Sequence, residues 1–111
     1  MFDSTTLTNL IREALSHLPK VEEKRMFGGT CFMVDDKMCI CISKDHLLCR
    51  IGEECAQVEL EKDTCRQMIN AGRVMKDYVY VDFEQIYSLK ELNYWLGLAL
   101  EYNPLARSSR K

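Results

Sequence analysis

Apolar residues recur at spacings of three and four from Leu7 through Leu10, Ile11, Ala14 and Leu15 to Leu18. They follow the cap candidates Asp3 and Ser4 and precede Pro19, which predicts an amphipathic helix lying on a sheet. A second stripe, Leu92, Trp95, Leu96, Ala99 and Leu100, follows Ser88 and Glu91 in a capping-box arrangement and stops near Asn103 and Pro104. Between the two, apolar and polar residues alternate with a period of two, broken by GG, DDK, SKD and NAGR. That pattern predicts strands over 22–27, 30–34, 38–43, 46–51, 65–70 and 74–82, with a short helix over 53–60. The class implied is α+β. The chain shows no internal repeat, and its 111 residues leave room for one domain with one modest core. We place that domain at 1–106 and expect 107–111 to be a disordered basic tail.

Alternation sorts side chains by face. Phe32 and Val34 point one way and Cys31 and Met33 the other; on the next strand Met38, Ile40 and Ile42 oppose Cys39 and Cys41. A three-residue loop at Asp35, Asp36 and Lys37 pairs Phe32 with Ile40 and leaves Cys31, Met33, Cys39 and Cys41 on the face away from the helices. Leu47, Cys49 and Ile51 belong to the helix side, so the thiols are divided between faces. A sheet face of Cys and Met is too apolar to stay open. Either a second copy or another protein covers it, which makes Cys31, Met33, Cys39 and Cys41 candidate interface residues and a homodimer an expected state, or late helical residues fold over it.

Composition narrows the classes. The chain is 47% apolar and 29% charged, and no apolar run approaches the roughly 20 residues that span a bilayer. The N-terminus carries Asp3 and has no basic segment ahead of an apolar one, so it does not read as a signal peptide, and a cytoplasmic location is expected. In that compartment the six cysteines are read as reduced core residues. They form no C-x-x-C pair and show no zinc-type spacing with His17 or His46, so neither metal nor cofactor is expected. A net charge of −2 gives little general affinity for nucleic acid.

The stretch Arg25-Met26-Phe27-Gly28-Gly29 stands out. As plain structure it is a strand end with a backbone bend that a Cβ would hinder. As a site, the glycine pair admits a close backbone approach beside an arginine fork. This element, after an amphipathic helix, combines with the hairpin CFMVDDKMCICI, the segments LLCRI and GRVMKDYVYV, and the closing helix LKELNYWLGLALEY. Over residues 5 to 105 the combination resembles the N-terminal domain of the TfoX/Sxy family, bacterial proteins associated with regulation of DNA-uptake competence. The resemblance implies a two-layer fold, an antiparallel β-sheet with the N- and C-terminal helices packed on one face. Longer members carry a second, C-terminal helical domain linked to nucleic-acid binding. This chain ends at Lys111 without one, so a stand-alone N-terminal module is expected.

The leading expectation is a non-enzymatic regulatory or protein-interaction module. Its candidate binding residues are Arg25, Met26, Phe27, Gly28 and Gly29, with Met75, Lys76 and Tyr78. Its partner is a protein that the sequence does not identify. One alternative is a small thiol-dependent enzyme or redox protein using a cysteine, Cys55 first, with His46 or His17; Glu53 and Glu54 oppose a thiolate there. The other is weak nucleic-acid binding through Lys20, Lys24, Arg25 and the tail cations Arg107, Arg110 and Lys111.

Overall fold

The computed structural model describes residues 2–26 and 28–107. Helix α1 spans Ser4–Leu15 and is capped by Asp3, whose carboxylate accepts the Thr6 amide at 2.7 Å. Leu7, Ile11 and Leu15 form its buried stripe. Leu18, which the periodicity assigns to the helix, reaches the core from the turn beyond it. Strands follow at β1 (Val21–Met26), β2 (Gly29–Val34), β3 (Lys37–Ile42) and β4 (His46–Arg50). Then come α2 (Glu53–Glu61), β5 (Arg66–Asn70), β6 (Arg73–Asp82) and α3 (Leu89–Tyr102). Ser88 caps α3 and also donates to Glu91 at 2.8 Å, so the capping box read from the sequence is present.

All neighbouring strands are antiparallel, in the order β1-β2-β3-β4-β6-β5, and the architecture is α+β. On one face Phe32, Ile40, Ile42, Leu47, Cys49 and Val79 pack against α1 and α3 through Leu7, Ile11, Leu92, Trp95 and Leu96. The C-terminal end of α3 is tied to the sheet: Asn103 donates to the Val34 carbonyl at 3.2 Å, and Lys37 donates to the carbonyls of Asn103 and Pro104. A cation on the last carbonyls of a helix also complements its dipole.

Two local features correct the face assignment. The β2–β3 connection is a two-residue turn, not a three-residue loop, because Asp35 and Asp36 both take positive φ (53° and 65°), the backbone that continues strand twist through a tight hairpin. Phe32 does meet Ile40, but Met33 meets Met38, so Cys39 is an extra residue on β3. One inserted residue reverses the facing of everything beyond it. Met38 therefore joins Cys31, Met33 and Cys41, whereas Cys39 turns into the helix-side core.

The second face is closed by the chain itself. Cys31, Met33, Met38, Cys41, Leu48, Met68 and Tyr78 form a buried cluster there, with Met26, Met75 and Tyr80 packed against it. The irregularity that makes this possible lies between β5 and β6. Gln67 pairs with Val79 but Met68 pairs with Met75, so β6 bends at 76–78 and the hairpin end turns Met68 and Met75 inward. Neither late helical residues nor a second copy is needed to cover this face; strand ends do it. Among the described residues no helix is long and apolar enough to cross a membrane.

Candidate functional site: an acidic apolar groove between α2 and α3

The glycines of the Arg25–Gly29 stretch have structural explanations. Gly28 lies in the turn joining β1 to β2 with φ +74°, a conformation that side chains disfavour. A Cβ on Gly29 would sit 2.2 Å from the Ile42 carbonyl oxygen, inside van der Waals contact with backbone. Phe27 lies outside the described residues. Met26 is half-buried on the sulfur-rich cluster, as is Met75, and Tyr78 is buried in it under the Arg50 guanidinium, 5.3 Å from the ring centroid. The fold thus brings Met26, Met75 and Tyr78 together as packing. Arg25 and Lys76 remain exposed, Lys76 lying 4.0 Å from Glu53. The four residues read as an interface, Cys31, Met33, Cys39 and Cys41, are at most 2% exposed within a single chain and offer no open surface.

The basic residues near the N-terminus are also separated. Lys20 pairs with Asp36 at 2.7 Å, and Arg12, on α1, holds Glu23 through two hydrogen bonds. Lys24 and Arg25 are consecutive on β1 and so point to opposite faces. Arg110 and Lys111 lie outside the described residues, as does most of the stretch read as a tail.

Arg50, which sequence reasoning passed over, organises the other end of the molecule. Its Nε donates to Asp77 at 3.0 Å and its Nη1 to the Arg107 carbonyl at 3.1 Å. The Asp77 carbonyl in turn accepts the amides of Ile51 and Gly52 at 2.9 and 3.0 Å. These bonds fix where α2 begins. Gly52, at φ +92°, precedes the helix, and a Cβ there would lie 2.7 Å from the Tyr102 ring. Only glycine lets the start of α2 pass so close beneath the end of α3. The two helices run antiparallel, and at the far end the buried Glu59 carboxylate joins them by accepting from the Tyr94 hydroxyl and from Lys62 at 3.1 Å. That hydrogen bond holds the Tyr94 hydroxyl above its ordinary pKa.

Between the helix ends lies a groove of about 650 Å³. Ile51, Cys55, Val58, Leu98, Tyr102 and Leu105 supply its apolar lining, and Val58 and Leu105 are 53% and 77% exposed. Among the described residues, its charged lining consists of Glu53, Glu54 and Glu101, without a cation. Cys55 sits in this groove, with its thiol raised above the ordinary value by burial and then by Glu59 and Glu101. No histidine lines the groove: His46 is hydrogen-bonded to Asp45 at 2.8 Å and stacked edge-on with Tyr80. Burial pushes Cys39 up to about 12 and Cys65 up to about 11, so neither is a ready thiolate. Among the described residues no group of three or more His, Cys, Asp and Glu side chains converges to hold a metal ion.

A six-stranded antiparallel sheet, with two terminal helices on one face and a third helix forming a side groove, defines a small α+β module. Residues 13–102 match the family model of the TfoX N-terminal domain, and with most of its length covered the chain belongs to that family. No curated protein and no solved structure matches the chain.

Proposed function

We propose that this chain is a non-enzymatic regulatory module that works by holding a segment of a partner protein. The observation that carries this reading is the groove between α2 and α3, an apolar trough bordered by three glutamates. Apolar contacts supply affinity at such a site, and a rim of one sign selects a partner of the other. The occupant this favours is a cationic, apolar segment in which Lys or Arg residues flank two or three aliphatic side chains. Family membership supports a regulatory setting, and control of DNA-uptake competence is the process the resemblance suggests.

The test is isothermal titration with a helical Lys/Leu peptide and its Glu/Leu counterpart. The cationic peptide is expected to bind one per chain and the acidic one not at all, with affinity falling as salt rises. Val58→Asp and the exposed Glu54→Lys change should each abolish binding, while Lys24→Glu on β1 should leave it intact. Equal binding of both peptides, or loss only with Lys24→Glu, overturns the assignment. Light scattering supplies the remaining check: a dimer that Val58→Asp dissociates would give the groove to a second copy and contradict a hetero-partner.

A further inference from the structure

The sulfur-rich interior behind the β1–β2 hairpin carries an inference independent of the groove. Cys31 and Cys41 are direct cross-strand partners on β2 and β3, and both are fully buried. Both thiols donate to one acceptor, the Met26 carbonyl oxygen, at 3.8 and 3.6 Å. Met33, Met38 and Met68 are buried in the same cluster, and Met26 and Met75 pack against it, so five of the six methionines in the chain surround one thiol pair.

A Met-rich core is ordinarily explained by the adaptability of the thioether. Two aligned thiols add what packing alone does not require: a pair of groups with a common focus that become anionic donors on losing their protons. Thiolate and thioether donors select soft ions such as Cu(I), whereas Zn²⁺ takes four ligands drawn from Cys, His and carboxylate. The buried part of the cluster supplies two cysteines and three methionines, and the exposed Glu22, across from Met33 on β1, stands beside it. Met26 and Met75, both half-buried, pack against the cluster at its margin.

We infer that Cys31 and Cys41, with thioether support from the surrounding methionines, form a site for one soft monovalent metal ion, Cu(I). Binding exchanges two S–H bonds for two S–metal bonds and releases two protons; no electrons move. The neutral thiol pair plus the cation becomes a site of charge −1 near Arg25. The Met26 carbonyl loses both thiol donors, which links occupancy to the end of the β1–β2 hairpin. Because ligands must shed protons, affinity should rise with pH.

The experiment titrates the reduced full chain, without oxygen, with Ag(I) as a redox-inert probe, and follows the ¹³C-methyl signals of its methionines. One equivalent should shift the methyls around the thiol pair and leave that of Met1 unmoved. Competition for Cu(I) against bicinchoninate should give one tight site that Cys31→Ser or Cys41→Ser removes and the double change Cys55→Ser, Cys65→Ser retains. Absence of methyl shifts, a site that depends on Cys55 and Cys65, or conversion of the pair to a disulfide without retained metal overturns the inference. Should the buried serine variants fail to fold, the methyl titration of the native chain decides alone.

Discussion

On its helix side the sheet packs Phe32, Ile40, Leu47 and Val79 against Leu7, Ile11, Leu92 and Trp95; on its other side it packs Cys31, Met33, Met38 and Met68 among strands of the same sheet. The first face meets regular helices, and branched and aromatic groups with few rotamers suit a surface of fixed shape. The second meets bent strand ends, at a bulge in β3 and an irregular stretch of β6. Unbranched thioethers fill such uneven space at little conformational cost. The lesson is that an apolar sheet face without a helix over it is not by itself a binding surface. The curl of the sheet has to be known first; here it buries that face, while apolar side chains in the groove beside α2, Val58 and Leu105, stay accessible.

The largest effect is expected from a charge placed on the sulfur-rich face. Met33→Lys places an ammonium at a position 2% exposed, where an unpaired charge cannot be kept. It should unfold the chain, by more than about 4 kcal/mol. A folded variant in a denaturant titration would show that the face is open. Phe32→Ala on the helix side should cost about 3–5 kcal/mol, because the cavity it leaves lies between a sheet and helices that cannot collapse into it. On the sulfur side Met38→Leu, which conserves volume among adaptable neighbours, should cost less than about 1.5 kcal/mol by the same measurement. Gly28→Ala should cost about 1 kcal/mol through its positive φ, since a Cβ there meets nothing.

The smallest effect is electrostatic and tests neither face. Arg66 holds the Asp82 carboxyl below its ordinary value, as Arg12 does for Glu23 and Ser88 for Glu91. A folded-state pKa below the unfolded one adds stability that is present above the unfolded value, near 4, and is lost as pH falls through the folded value. Thermal unfolding should therefore be level from about pH 7 to 5 and decline below about pH 4, with Arg66→Gln making that decline shallower. These pairs are largely exposed, so the change should be slight.

Much of the scaffold was legible in the sequence because each element carries its own period and punctuation. The first strand, read at 22–27, lies at Val21–Met26, and the helix read at 53–60 lies at Glu53–Glu61. Facing was legible only up to the bulge. A single extra residue at Cys39 leaves no compositional mark, yet it exchanges the roles of Met38 and Cys39. The closure of the second face depends on a bend in β6, and alternation cannot report a bend. The groove was illegible for a different reason. Its lining comes from two segments some 40 residues apart, 51–58 and 98–105, and Gly52, which admits Tyr102, looks in the sequence like any glycine before a helix. Arg50 gave a weak signal, a lone cation closing the apolar strand His46–Arg50, which a search for buried charges would have noticed.

Backbone amide shifts on the ¹⁵N-labelled chain, recorded while the Lys/Leu peptide is added, show whether the groove between α2 and α3 holds it. Saturable shifts are expected at Gly52, Cys55, Val58, Leu98 and Glu101, with Arg25, Gly28 and Lys76 unmoved. Shifts centred on Arg25–Gly29 and Lys76, with α2 and α3 silent, would contradict a groove site and return the binding site to the hairpin end.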